Sequence, residues 1–165
     1  MLLKTLRFLS LVCAALVLGL TLTHDLEIPG KHLLSGAEWL AVQNTFYGGF
    51  AIVGGMAEIL GLLSTGLLLF LLRKQRVALA LTLIAALCFA GTLALFAFGN
   101  NPLNQQIASW TPSNLPATWR QARDAWDSFH AASSALAALS LVTLLIALLR
   151  DTPSSSRARE AMPSA

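Results

Sequence analysis

The stretch "NTFYGGFAIVGGMAEILGLLSTGLLLFLL", residues 44–72, contains one charged side chain, Glu58, in an otherwise mostly apolar run. A helix needs about 20 apolar residues to cross the hydrocarbon core of a bilayer, with a range of roughly 17–25. The stretch is long enough, and its many small residues would let neighbouring helices approach closely in lipid. It therefore predicts a membrane-spanning helix that carries a carboxyl group.

The rest of the chain has a similar composition. Of its 165 residues, 56% are hydrophobic and 12% are charged, whereas about 25% of the residues of a soluble domain are charged. Three further apolar stretches stand out, so the predicted spans are residues 6–23, 44–72, 77–99 and 131–149. The predicted fold is all-α, an integral membrane four-helix bundle formed by residues 1–150, with the lipid bilayer as its partner.

Both ends of the chain need a separate interpretation. The first span follows basic residues, as in a secretory signal peptide, but its apolar part exceeds about 15 residues when Leu6 is counted. No small-residue cleavage site follows it cleanly, so we expect a retained helix. At the other end, the polar and Pro/Ser-rich residues 151–165 predict a disordered cytoplasmic tail.

Basic residues are distributed unequally between the two ends of the spans. Three of them lie at one end, namely Lys31, Arg120 and Arg123. The others lie at the opposite end, namely Lys4, Arg7, Arg73, Lys74, Arg76, Arg150, Arg157 and Arg159. This asymmetry predicts cytoplasmic termini, in a bacterial inner membrane or an equivalent one. No basic patch interleaved with aromatic residues occurs, so nucleic acid is not an expected partner. The oligomeric state is left open.

Polar side chains collect at the predicted exoplasmic ends. His24 ends the first span and Glu27 follows three residues later, so one further helical turn would place both on one face. Pro29 and Gly30 are then expected to break the helix. His32, beyond them, is interpreted as part of a solvated helix end.

The second exoplasmic segment, residues 100–116, is rich in proline and polar residues and predicts a loop. A short interfacial helix is expected to start near Ala117 and to precede the fourth span. Along it Trp119, Arg123, Trp126 and His130 are spaced by four, three and four residues and form one stripe. An interfacial helix that places its tryptophans at the depth of the lipid headgroups would explain why Trp119 and Trp126 occur here. It would not explain His130 at the point where the helix enters the membrane.

The acidic residues of this helix, Asp124 and Asp127, lie off the stripe. They are four residues beyond Arg120 and Arg123, respectively, so i, i+4 ion pairs between them are expected.

Glu58 is the least expected charge in the sequence. An ionised carboxylate at the bilayer centre costs roughly 2.5–3.5 kcal/mol, so such a residue is expected to face the bundle interior. It could be protonated and bonded to neighbouring backbone or hydroxyl groups. It could instead pair with a cation, with a histidine or with a metal held together with His24 and His130. Imidazole and carboxylate ligands suit Cu, Fe or Zn, and a haem is a further alternative.

Four segments resemble the anthrone-oxygenase-like family of small four-helix membrane proteins. They are "HDLEIPGK" at 24–31, "VQNTFYGGF" at 42–50, "NPLNQQIASW" at 101–110 and "TWRQARDAWDSFH" at 118–130. The first is similar to a His…Glu-x-Pro-x-Lys pattern of the family, and the last two to a Pro-x-Asn followed by Trp, Arg, Trp and His. The chain departs from many relatives at Ser133, where they carry an arginine.

The resemblance implies an enzyme that oxidises a lipophilic phenolic or polycyclic substrate with dioxygen and without an organic cofactor. His130 would act as the base, and Arg123 would stabilise the enolate oxygen. The residues expected to bind the substrate or line its pocket are His24, Glu27, Gln43, Tyr47, Glu58, Asn104, Trp119 and Trp126.

Two other functions stay open at this point. One is a metal- or haem-binding membrane protein that uses His24, Glu27, Glu58 and His130. The other is a non-catalytic membrane or accessory protein, in which Glu58 only helps the helices to associate.

Overall fold

The computed structural model describes residues 1–150, and the prediction of a disordered tail at 151–165 lies outside them. The elements in chain order are α1 (Leu2–Lys31), α2 (Gly36–Phe46), α3 (Gly48–Leu71), α4 (Arg76–Leu95), a π-helical turn (Phe96–Asn100), α5 (Asn101–Ala108) and α6 (Trp119–Arg150). No strand occurs in this part of the chain.

Four helical segments are long and apolar enough to cross a membrane. They are Leu2–Lys31, Gly48–Leu71, Arg76–Ala108 and Trp119–Arg150. The prediction of four apolar spans is therefore confirmed in number and order. The helices pack in a ring, because α1 and α4 each contact both α3 and α6.

Small side chains allow the helices to approach closely. Ala14, Ala57, Ala85 and Ala137 are buried where the helices meet. At Gly61 of α3, any Cβ atom would overlap the ring of Phe89 on α4. Because lipid is as apolar as the side chains, such close contact replaces the hydrophobic drive that holds a soluble core together.

The first helix is longer than predicted. It runs through Pro29 and Gly30 to Lys31 instead of breaking at them. A proline has no backbone N–H and therefore removes one hydrogen bond from a helix. Near the helix end the neighbouring bonds still hold the last turn together, because His32 N–H donates to Ile28 O at 3.0 Å. The extra turn places His24 and Glu27 in the same helix.

Helix α2 was not predicted, and the second span consequently begins at Gly48 rather than at 44. Ser35 caps α2 with a capping box, in which its hydroxyl accepts from Glu38 N–H and the Glu38 carboxylate accepts from Ser35 N–H at 2.8 Å. The helix buries Trp39 and Leu40 against aromatic residues of α6.

The prediction of a loop over residues 100–116 is wrong in its first half. Helix α4 continues through the π-helical turn into α5, with Pro102 near the start of α5. One wide turn directly before a proline accommodates the missing N–H and the ring. The residues expected to form a short interfacial helix before the fourth span are the N-terminal part of α6, which runs from Trp119 to Arg150 without interruption.

Candidate functional site

A cavity of about 320 Å³ lies where α2 and α5 meet the adjoining ends of the long helices. Its walls are mainly apolar, with contributions from α1, α2, α3, α5 and α6. The polar and aromatic side chains that line it include His24, Gln43, Asn44, Tyr47, Glu58, Asn104, Trp126 and His130. Its volume lies within the range of small-molecule pockets, roughly 300–1,000 Å³.

Two histidines meet at this cavity. The ring centroids of His24 on α1 and His130 on α6 are 4.3 Å apart, and the Trp126 ring lies 4.8 Å and 4.0 Å from them, respectively. The Nδ1 atoms of both histidines are buried and have no hydrogen-bond partner within residues 1–150. A buried polar atom without a partner costs about 1–3 kcal/mol, so the pair is suited to receiving polar atoms of a ligand.

Gln43 adds a third polar group from α2. Both its amide nitrogen and its amide oxygen are buried, and neither has a hydrogen-bond partner in the described chain. One amide can donate and accept at the same time. The cavity therefore offers both a donor and an acceptor besides the imidazoles.

Glu58 faces inward, as expected, with 7% of its surface exposed. It lines the cavity from α3, and Thr92 on α4 is its neighbouring hydroxyl. The structure does not bring Glu58 into a metal-binding group with His24 and His130. Within residues 1–150, the grouping of three such side chains whose ligand atoms lie within 4.8 Å of one another is instead His32, Asp124 and Asp127.

Glu27 organises a charged cluster beside the cavity. Its Oε2 atom accepts from Tyr47 Oη at 2.6 Å, lies 2.8 Å from Lys31 Nζ and is 3.8 Å from His24 Nδ1. Burial, and then the bond to this carboxylate, raise the pKa of Tyr47 above its usual range. The side chain of Glu27 is 39% exposed and does not line the cavity itself.

Lys31 was missed by the sequence interpretation as a member of this cluster. Its side chain is only 4% exposed, and its ammonium lies 4.5 Å from the ring centre of Tyr47 and 4.9 Å from that of Trp126. The spacing of four residues between Glu27 and Lys31 in a helix was the signal that could have found it.

Trp126 is held in place by α5 and by the π-helical turn before it. Its indole N–H donates to Asn104 Oδ1 at 2.8 Å, and its backbone oxygen accepts from Asn100 Nδ2 at 3.3 Å. The position of the indole beside the two histidines is thereby fixed by hydrogen bonds as well as by edge contacts between the rings.

Arg123 and Trp119 are not part of the cavity lining. The Arg123 guanidinium donates to Asp124 Oδ1 at 2.9 Å, and the Trp119 ring packs 5.6 Å from that of Trp39. Instead of the expected ion pair between Arg123 and Asp127, Arg123 pairs with Asp124 and Asp127 pairs with His32. Asp127 Oδ2 lies 2.9 Å from His32 Nε2, so His32 is not simply a solvated helix end.

Fold and site together define a helical protein with four candidate membrane spans and a largely apolar cavity at which two histidines meet. Comparisons of the chain with protein-family models, with curated proteins and with solved structures found no match. The resemblance to the anthrone-oxygenase-like family therefore stays a prediction that is based on the sequence segments quoted above.

Proposed function

We propose that this chain is an integral membrane enzyme that oxidises a flat, lipophilic phenolic or polycyclic substrate with dioxygen. The observation that carries the proposal is the pair formed by His24 and His130, whose unpartnered Nδ1 atoms lie at a cavity with mainly apolar walls. Such a cavity favours a lipophilic ring, and imidazole is the side chain best suited to move a proton near neutral pH.

The chemistry requires a base and a place for negative charge. His130 removes a proton from an acidic C–H of the substrate, and the resulting carbanion, which is the enolate form of the ring, reacts with dioxygen to give a hydroperoxide. Loss of water from the hydroperoxide then leaves a carbonyl. Overall a CH₂ group and O₂ give C=O and H₂O, and the proton taken up by the histidine returns to the oxygen that leaves as water.

The enolate oxygen needs a hydrogen-bond donor. In this proposal Gln43 is that donor, in place of Arg123, to which the family resemblance gave the role. Its amide N–H has no hydrogen-bond partner among the described residues, whereas the Arg123 guanidinium is bound to Asp124. Donors aimed at developing negative charge stabilise it strongly in a site that excludes water. Trp126 supplies a fixed aromatic face against which a flat ring can stack.

In this proposal the four-helix bundle spans a bacterial inner membrane, or an equivalent one, with both termini in the cytoplasm. The excess of basic residues near the chain ends and near 73–76 supports this orientation. The cavity then opens toward the exoplasmic leaflet, near the start of α6. A lipophilic substrate would reach it from the bilayer without crossing the charged cytoplasmic side.

Oxygen uptake by detergent-purified protein tests the proposal. With anthrone as the substrate, we expect the wild type to consume oxygen and to form anthraquinone. Loss of a general base costs roughly 10²- to 10⁴-fold in rate, so His130→Ala should be slower by that factor. His32→Ala, which removes the histidine outside the cavity, is the control and should stay active. No turnover by the folded wild type, or equal turnover by His130→Ala, would overturn the proposal.

Metal binding by the same two histidines is the second candidate, and the two unpartnered Nδ1 atoms favour it. Copper and iron accept imidazole ligands. Ring centroids 4.3 Å apart leave no room for a porphyrin plane between the rings, so a haem ligated by both is not favoured. Metal analysis separates the candidates. Stoichiometric metal that disappears in His24→Ala supports this one, whereas a metal-free and active preparation supports the oxygenase without a metal.

A further inference from the structure

A second space, an outer groove of about 520 Å³, lies beside the cavity. It runs between the C-terminal end of α1 and helix α2, with apolar walls that include Leu26, Leu34, Val42 and Phe46. Tyr47 and Phe50 line both the outer groove and the cavity, and they therefore form the partition between the two spaces.

The two spaces differ in chemistry. The cavity is lined by His24, Gln43 and His130, whose side chains carry buried polar atoms that have no hydrogen-bond partner within residues 1–150. The outer groove has two charged side chains in its lining, Glu27 and Lys31, and these are already paired with each other at 2.8 Å. The cavity is thus suited to a ring that bears oxygen atoms, and the outer groove to an apolar chain.

We infer that the substrate is amphiphilic, with a phenolic or polycyclic ring in the cavity and an alkyl or isoprenoid chain in the outer groove. The inference rests on the proposed function for the chemistry of the ring, and it adds the class of substrate. Tyr47 and Phe50 line both spaces, so a chain that extends from a ring in the cavity past these two side chains enters the outer groove.

We expect the outer groove to determine mainly which substrates fit the protein. Its contribution to the binding affinity should be small. A chain dissolved in a bilayer already has apolar surroundings, so its transfer into a protein groove adds little hydrophobic free energy. What the groove provides is a space with mainly apolar walls for the chain, next to the cavity in which the ring lies beside the histidines. Blocking the groove should therefore exclude substrates that carry a chain and spare those that do not.

Filling the outer groove tests this directly. The substrates are anthrone and an anthrone that bears a decyl chain, compared at equal mole fractions in the detergent phase. Val42→Trp introduces a large side chain into the groove, and we expect kcat/KM for the chain-bearing substrate to fall at least about tenfold, because the indole occupies the volume that the chain needs. For anthrone itself we expect a change within roughly twofold, as for substitutions away from a binding contact.

Leu33→Trp is the matched control, because Leu33 is 87% exposed and does not line the outer groove. It should change turnover of neither substrate. Equal losses for both substrates in a folded Val42→Trp protein, or no loss for either, would overturn the inference. Size-exclusion profiles and thermal unfolding in detergent establish that each variant is folded.

Photolabelling tests the binding of the chain without any turnover. The probe is an anthraquinone whose decyl chain ends in a diazirine, and it should label the segments 26–34 and 42–46 of the wild type. Labelling confined to the exposed side chains of Leu67 and Phe70 on α3, or equal labelling of the groove by a phospholipid probe that the ring compound does not displace, would overturn the inference. Specific labelling of the groove without oxygen uptake would support the chain site and reject the oxygenase.

Discussion

The rings of His24 and His130 lie with their centroids 4.3 Å apart, although one residue belongs to α1 and the other to α6. Their proximity depends on the direct contact between these two helices. It also depends on Trp126, which lies one helical turn before His130 and contacts both rings edge-on. The site is therefore formed by the same helix interface that stabilises the fold. A substitution that disturbs the packing of α1 against α6 should therefore also disturb the histidine pair.

Tyr47 makes one part of this arrangement measurable by pH titration, because it is the only tyrosine in the chain. Its pKa is raised by burial and then by its bond to Glu27, whereas an unfolded tyrosine titrates near pH ~10. The native protein should thus show little tyrosinate absorbance at a pH where the denatured protein is half titrated. A native midpoint near the unfolded value would contradict the buried position of Tyr47.

The same shift has a consequence for stability. Above about pH 10 the unfolded state loses a proton that the native state keeps, so the free energy of unfolding should fall as the pH rises through this range. Glu27→Gln removes the second cause of the shift and should lower the native midpoint. Absorbance titrations of both proteins in the same detergent provide the comparison.

Gly61 tests the contact between α3 and α4. A Cβ atom there would overlap the ring of Phe89, so Gly61→Ala should destabilise the protein by about 1–3 kcal/mol. Gly66→Ala, on the same helix, is the control, because no atom of residues 1–150 beyond its own helix backbone lies within 4 Å of the added atom. It should be neutral or slightly stabilising, since alanine favours helix by up to about 1 kcal/mol over glycine. Equal thermal midpoints of the two variants would contradict the close approach of the helices.

Glu27 and Lys31 test the charged cluster. Glu27→Ala leaves the buried ammonium of Lys31 without the carboxylate that lies 2.8 Å from it, and we expect a loss of about 1–3 kcal/mol, the cost of a buried polar group left without its partner. Lys31→Met removes the buried charge and keeps much of the side-chain volume, and it should cost less. The double variant should be more stable than Glu27→Ala alone. Thermal unfolding of the three variants measures the coupling, and strictly additive effects would show that the pair is not formed.

Much of the fold could be predicted from composition and spacing. Four long apolar stretches predicted four spans, because only a helix satisfies its own backbone within lipid. Helix α2 was overlooked, although "SGAE" at 35–38 is a capping box, the usual start signal of a helix. Residues 101–108 were predicted as loop because Pro102 was interpreted as a helix breaker, whereas a π-helical turn before it absorbs the irregularity.

The site was less predictable, because the directions of long side chains depend on local partners. Polarity within apolar surroundings was enough to select His24, Glu58 and His130, and the family resemblance added Gln43. All four line the cavity. Arg123 was selected because it lies on one helical stripe with His130. Its guanidinium instead bends to the neighbouring Asp124 carboxylate, and helical spacing does not reveal such a choice.

The central claim is that His24 and His130 act together on a substrate in the cavity, and a double-mutant cycle tests it most directly. Oxygen uptake with anthrone is measured for the wild type, His24→Ala, His130→Ala and the double variant. Residues that act as a unit give strongly non-additive losses, so the double variant should lose little more activity than His130→Ala alone. Losses that multiply independently, or turnover by the double variant equal to that of the wild type, would contradict the account.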